Sequence, residues 1–282
     1  MPSSARCSLR RLLLFCLLGA PSGIAPAQIA APRAQVPLAV AVRPFLFTVA
    51  TDPAADGQWV LYSDTGYGER GQDPARTDGW QQYVGAQGRV GWGLTVLGRL
   101  GFGTKEDGGV GNLEEAEVLK DVLTGAAPLS AGVGARRELD GSFTALGRVV
   151  FGRTFAKDDL FTNVRFERSF ERDRDELDLM ASVAWMHRFG DVASAGVEVL
   201  AQDLEGLWEP DEAEGGARLF IGPTVRAAIP ATSFYLALGG GPVLRASRSP
   251  RINDAPRDLS TRSGYAIRLS IGFQPPSSAS AR

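Results

Sequence analysis

From Gly57 onward the chain alternates between two kinds of side chain. In "YAIRLSIGF", Tyr265, Ile267, Leu269, Ile271 and Phe273 are large and apolar, while Ala266, Arg268, Ser270 and Gly272 lie between them. "GSFTALGRVVFG" sets Phe143, Ala145, Gly147, Val149 and Phe151 against Thr144, Leu146, Arg148 and Val150. "LDLMASVAWMHRF" sets Leu177, Leu179, Ala181, Val183, Trp185 and Phe189 against Asp178, Ser182 and Arg188. "ARLFIGPTVRAAI" and "ASAGVEVLAQD" follow the same rule, with Arg218, Thr224 and Arg226 in the polar row of the first and Glu198 and Gln202 in that of the second. A period of two belongs to strands with two different faces.

The alternation predicts twelve strands, over about 57–69, 80–91, 93–103, 113–123, 128–139, 142–154, 160–171, 176–189, 192–205, 215–229, 232–246 and 263–273. Most exceed the roughly five or six residues usual in soluble proteins and match the roughly nine to eleven that a tilted strand needs to cross a bilayer. The stretch 113–123 also reads as a helix. Leu113, Ala116, Leu119 and Leu123 have helical spacing, Asn112 and Glu115 resemble a capping box, and Gly125 is placed to end it. The strand is retained because an even count puts both ends of a closed barrel on one side.

The connections alternate in length. "HRFGDVAS", "FAKDDL", "TGAAP" and "VGWGL" are short, whereas "RGQDPARTDG", "GTKEDGGVGN", "LEGLWEPDEAEG" and "RASRSPRINDAPRDLSTRS" are long and charged; only "ELDGS" departs from the alternation. A soluble sandwich would alternate too, with its apolar row in a core. Strand length, loop asymmetry and aromatics near the ends of the apolar rows favour lipid outside instead. A closed barrel is also the one sheet that satisfies every backbone group there. The expected fold is all-β, a single antiparallel up-and-down transmembrane β-barrel of about twelve strands over residues 57–273, with a tail at 274–282.

The N-terminus reads as a secretory leader. "ARCSLRR" is followed by an apolar centre from Leu12 to Leu18, and Ala25, Pro26 and Ala27 give small residues at a cleavage site after Ala27. Cys16 is not placed as a lipoprotein cysteine, since Phe15 precedes it within the apolar centre. Cys7 and Cys16, the only cysteines, leave with residues 1–27, so disulfide and thiol chemistry are not expected in the mature chain. Arg6, Arg10 and Arg11 leave as well, which takes the formal charge from −2 to −5 and argues against nucleic acid as a partner. Residues 28–56 are expected to be a partly extended tail; Pro37 and Pro44 weaken a strand reading of "PLAVAVRPFLFTVA".

Tyr265, Ile267, Leu269, Ile271 and Phe273 resemble the C-terminal β-signal of bacterial outer-membrane proteins. That resemblance implies outer-membrane residence and recognition of the last strand by the assembly machinery; the tail "QPPSSASAR" after the aromatic is a departure from the pattern. More weakly, "RPFLFTVATDP" before "GQW", together with "IGP" at Ile221 to Pro223, resembles a loosely defined group of transport barrels linked to phenol-degradation pathways. No functional residue carries over from that group.

With the apolar row outward, Arg89, Arg99, Arg136, Arg148, Arg165, Arg218, Arg226, Arg245 and Arg268 point inward, as do Asp64, Glu115, Glu117, Glu138, Glu167, Asp178 and Glu198. Arg99, Arg136, Arg148, Arg165, Arg226, Arg268, Glu138, Glu167, Asp178 and Glu198 are the candidate pore-lining charges. They suit either a polar channel acting on passing solutes or a lumen filled by ion pairs. Lys120, Arg137, Arg153 and Arg168 fall outward; all but Lys120 lie near strand ends, where a long side chain reaches the interface. The loop Asp203 to Glu214 is acidic and Arg245 to Arg262 is basic, so they could pair over the mouth.

Catalysis is not expected. Acyl-transfer barrels need a nucleophile beside a base, and His187, the one histidine, falls in the outward row with Phe189 two residues on. One histidine and no mature cysteine leave no His/Cys metal site, and "GFGTKEDGG" lacks the ending of a phosphate loop. The sequence implies a passive pore or small-solute transporter without cofactor or metal. Its expected partners are outer-membrane lipids and lipopolysaccharide, the assembly machinery and a small solute. The alternatives are a non-conducting barrel with a structural or surface role and, behind it, a lipid-modifying barrel enzyme.

Overall fold

Alternating strands bury one row only if the sheet has an inside, and here the sheet closes on itself. The computed structural model describes residues 43–51, 56–68, 79–105, 108–125, 128–170, 177–190, 192–208, 217–229, 232–245 and 264–275. The strands are β1 (Trp59–Gly68), β2 (Gly79–Arg89), β3 (Leu94–Thr104), β4 (Val110–Leu123), β5 (Leu129–Arg137), β6 (Phe143–Thr154), β7 (Asp158–Ser169), β8 (Asp178–Phe189), β9 (Ala193–Gln202), β10 (Arg218–Ala228), β11 (Phe234–Arg245) and β12 (Gly264–Phe273). Each pairs antiparallel with its neighbours in sequence, and β12 closes on β1 from Leu61↔Phe273 to Gly68↔Ala266. A 3-10 turn, Leu204–Leu207, follows β9. The twelve strands match the twelve expected, with ends moved by a few residues.

The stretch 113–123 belongs to β4, paired with β3 from Val110 to Lys120. Leu113, Glu115, Glu117 and Leu119 are buried inside, while Glu114, Ala116, Val118 and Lys120 face out. The helical spacing arose because Leu113 and Leu119 stand in the inner row and Ala116 in the outer one. Lys120 is accommodated by its depth. It lies opposite Leu94 near the short turn 90–93, and its ammonium donates to the Trp92 carbonyl. A lysine can reach the interface from there.

The exterior is a continuous apolar belt. Leu269, Ile267, Val225, Val183, Phe151 and Leu100 are all exposed. Aromatic pairs stand at both ends of the belt: Tyr67 with Tyr265 and Trp80 with Phe102 at the long-loop end, Phe234 with Phe273 and His187 with Phe189 at the short-turn end. An exposed apolar surface of this extent, rimmed by aromatics, is a lipid-facing surface.

One seam of the wall is interrupted midway. Between β10 and β11 the pairing runs from Arg218↔Arg245 to Phe220↔Val243, then resumes in the same register at Thr224↔Gly239. Pro223 and Pro242 lie in the gap, and neither has an N–H to give. The backbones approach closely there, since a Cβ on Gly222 would stand 2.3 Å from the Gly240 carbonyl oxygen.

Candidate functional site in the barrel lumen

The inner row is not uniformly polar. Val60, Tyr62, Tyr83, Leu119, Val150, Phe161, Met186, Leu200 and Phe220 point inward and are buried. Apolar side chains inside a barrel need something apolar to cover them, and residues 43–51 supply it. Phe45 packs with Leu119, Val150, Phe161 and Met186; Leu46 packs with Val60, Tyr62, Tyr83 and Tyr235. The Phe45 and Phe161 rings lie 5.9 Å apart, and those of Phe47 and Phe220 lie 4.8 Å apart. The stretch expected to be part of a tail thus lies, from Arg43 to Thr51, in the lumen, and it belongs to the same compact unit as the barrel, Val36–Arg282.

This segment forms no strand, so its main-chain groups need other partners, and the wall provides side chains. The Glu198 carboxyl accepts the N–H groups of Leu46, Phe47 and Thr48 at 2.8, 2.9 and 3.0 Å, and the Thr224 hydroxyl at 2.8 Å. Asn163 brackets the next residue, accepting from Val49 N–H at 3.0 Å and donating to its carbonyl at 2.9 Å. Arg268 donates to the Leu46 carbonyl at 2.9 Å, Gln87 to that of Ala50 at 3.0 Å and Arg89 to that of Thr51 at 3.1 Å. Arg43 holds Asp64 through both terminal nitrogens, at 3.1 and 2.6 Å, with its guanidinium 3.7 Å from the Tyr62 ring centroid.

Ion pairs fill much of the remaining lumen. Arg148 is bidentate on Glu117 at 2.8 and 2.7 Å and reaches Asn163 at 3.1 Å. Arg136 binds Glu167 at 3.1 and 2.6 Å and Glu138 at 2.8 Å, and Glu138 also accepts from Thr144. Arg99 and Arg165 both reach Glu115 at 2.8 Å. Near the short turns Arg89 binds Asp121, which also accepts from Ser130. Partners of this kind are what let charges sit inside a protein. Beside residues 46–49 a cavity of ≈ 50 Å³ is left, room for a few waters.

The candidate pore-lining charges therefore have distinct surroundings. Arg99, Arg136, Arg148, Arg165, Glu138 and Glu167 lie among ion pairs on the β3–β7 side. Glu198 and Arg268 hold the segment. Asp178 is buried at the start of β8. Arg226, also buried, lies over the Tyr235 ring at 3.8 Å. The Arg218 guanidinium binds Asp203. The Arg245 side chain and most of the oppositely charged loops fall outside the described residues, as do the leader 1–27 and its cleavage site.

Sequence reading missed the lumen segment and its anchors Asn163 and Gln87; Asp64 and Thr224 were placed in the inner row, without a partner there. Two signals pointed to it. "PFLFTVA" is apolar on both of its faces, as a stretch surrounded on all sides must be. The inner rows also hold more large apolar residues than a water-filled lumen accommodates.

On the outer wall, His187 Nδ1 lies 2.9 Å from Asp158 Oδ1, which also accepts from Trp185 Nε1 at 3.0 Å. The ring faces away from the lumen, between Trp185 and Phe189.

No family model matches the chain, and no curated protein matches it by sequence. Solved structures do match in fold. A structure of the porin NanC superposes with a TM-score of 0.55 at 9% identity, covering 76% of this chain and 98% of that one. The porin KdgM, solved in complex with disordered oligogalacturonate, gives 0.50 at 10% identity over 76% and 98%. An outer-membrane channel from Pseudomonas putida F1 gives 0.50 at 9% identity over 78% and 96%. At such identities the likeness is one of architecture, and the chain has the fold of bacterial outer-membrane porins and channels.

Proposed function

We propose that the chain is an outer-membrane channel for a small solute, closed in the conformation described by residues 43–51. The observation that carries this reading is how that segment is held. Its main chain is bonded to wall side chains, through Glu198, Asn163, Gln87, Arg89 and Arg268, and not to a strand ladder. A segment held in this way can leave without unzipping the barrel. The space it would vacate is lined by charged and aromatic side chains, the polar lining of a solute path.

The experiment is planar-bilayer conductance of the full chain against a variant lacking residues 36–51. The full chain is expected to conduct rarely and the shortened one steadily. A shortened barrel that folds and stays silent would reverse the reading in favour of a non-conducting barrel, for which the extensive lumen ion pairing speaks.

The last strand fits the role of assembly signal, since Tyr265, Ile267, Leu269 and Ile271 form one exposed row that ends at Phe273, where β12 meets β1. Replacing Phe273 by alanine should lower the yield of assembled barrel in cells while leaving refolding in detergent intact. Partners at the outer wall would be membrane lipids and lipopolysaccharide. An enzymatic role has little support, because His187 lies in the aromatic girdle with Asp158 and Trp185 around it. The resemblance to barrels linked to phenol-degradation pathways rests partly on "RPFLFTVATDP", whose first nine residues are the lumen segment; it names no solute.

A further inference from the structure

Arg226 differs from the other buried arginines. Among the described residues, Arg43, Arg89, Arg136, Arg148, Arg165 and Arg218 each engage a carboxylate, and Arg188 and Arg268 each donate to a carbonyl. Arg226 is only 4% exposed, yet Nε, Nη1 and Nη2 all lack a hydrogen-bond acceptor among the described residues. Its guanidinium lies 3.8 Å from the Tyr235 ring centroid, and the Tyr235 hydroxyl is also without a partner. Among the described residues, Arg43 and Asp159 act on it electrostatically, and both are engaged, Arg43 by Asp64 and Asp159 by Arg188 at 3.6 Å.

A buried cation with unused donors is costly, and stacking on one ring offsets only part of that cost. Local costs of this kind concentrate at sites that act on a ligand. The guanidinium offers a planar fork of donors, which suits a planar, bidentate anion better than a spherical one. The surroundings add an apolar component, for Tyr235 sits in one cluster with Leu46, Tyr62 and Ala237. Arg226 faces the lumen two residues from the short-turn end of β10, below the level of Thr224 and Glu198, where the segment is anchored.

We infer that Arg226, with the Tyr235 ring as platform, is a binding site for the carboxylate of a small organic monoacid. The inference deepens the channel reading and rests on it for the role of the ligand as a solute; the binding itself does not depend on conductance.

The test uses the full chain in detergent, with sodium butyrate as probe against sodium chloride at equal ionic strength. The apparent melting midpoint is expected to rise in butyrate by roughly 2–4 °C at about five times the dissociation constant, and Arg226→Met is expected to abolish that rise. In chloride the Arg226→Met barrel should melt at or above the parent, because an unpaired buried charge has been removed. An equal response to butyrate in parent and variant, no response in the parent, or a lower midpoint of the variant in chloride would each overturn the site. Should Arg226→Met fail to fold, Arg226→Lys is read instead; it keeps the charge without the fork, and an undiminished butyrate response there overturns the proposal. Conductance of the barrel lacking residues 36–51 separates the two readings. Steady conductance with a flat butyrate response leaves the channel and removes the site. A silent barrel with a butyrate response abolished by Arg226→Met leaves the site and removes the channel.

Discussion

Arg268 on β12 donates from Nη1 to the main-chain oxygen of Leu46 at 2.9 Å, and its guanidinium lies 4.4 Å from the Phe47 ring centroid. One lumen arginine therefore grips both the backbone and a side chain of the segment that lies in the lumen. Hydrogen bonds to charged groups contribute about 1.5–3 kcal/mol. Arg268→Ala should raise the open fraction roughly tenfold to a hundredfold, read as the frequency and lifetime of conducting events in single-channel records. Unchanged open probability would show that Arg268 does not hold the segment.

Glu198 should matter more. Its carboxyl group receives three consecutive N–H groups and one hydroxyl, and Glu198→Ala leaves all four donors buried without an acceptor. Each unsatisfied donor costs about 1–3 kcal/mol, so the closed state should lose more than with Arg268→Ala. Glu198→Gln keeps one accepting oxygen but turns an amide NH2 towards N–H groups, and should fall between alanine and the parent. Protease sensitivity of the stretch around residues 43–51 gives a second readout. The order parent, Gln, Ala is expected in both measurements.

The barrel was legible because lipid imposes a strict rule. Every outward residue of the belt must be apolar, so each strand carries its phase openly, and the arginines at 148, 226 and 268 read directly as inner residues. The lumen segment was hidden because its rule is looser. Its main-chain partners are side chains scattered over β2, β7, β9 and β12, far apart in sequence, and nothing in "RPFLFTVAT" names them. The ambiguity in β4 has the same origin. Leu113 and Leu119 look like one helical face only until Phe45 and Ala50 are known to lie against the inner wall at Leu119. Arg226 was legible as an inner residue, but its lack of a partner needed three dimensions, since the inner row alone offered it several acids.

The turn after β9 should respond to pH. Burial, with repulsion from Asp203 and Asp178, pushes the Glu205 carboxyl up to about 8. Its Oε2 accepts from the Leu179 N–H at 2.8 Å. The folded turn thus holds a proton that the unfolded chain releases near the ordinary value of 4.5. Its stabilisation is complete below that value, declines as pH rises between there and about 8, and is lost above. Exchange of the Leu179 amide, corrected for its intrinsic pH dependence, should accelerate across this window. Glu205→Gln keeps the accepting oxygen without the charge and should flatten the response. A parent profile as flat as the variant's would show that the turn is insensitive to this proton.

Leu269 tests which face meets lipid. It lies midway along β12, exposed on the outer wall, with Thr65 of β1 on one side and Leu238 of β11 on the other. Arg268, one residue earlier, carries a guanidinium at nearly the same depth on the opposite face. Moving that group outward by Leu269→Arg places it in hydrocarbon, at a cost of about 2–4 kcal/mol near the midplane. Leu269→Ala loses only part of an apolar side chain and should cost less. Denaturant titration of barrels folded into lipid vesicles should therefore rank parent first, Leu269→Ala next and Leu269→Arg last. In detergent micelles, which deform around a charge more readily than a bilayer, the gap between the two variants should narrow. A Leu269→Arg barrel as stable as the parent in vesicles would place lipid elsewhere, and the two faces of every strand would have to be exchanged.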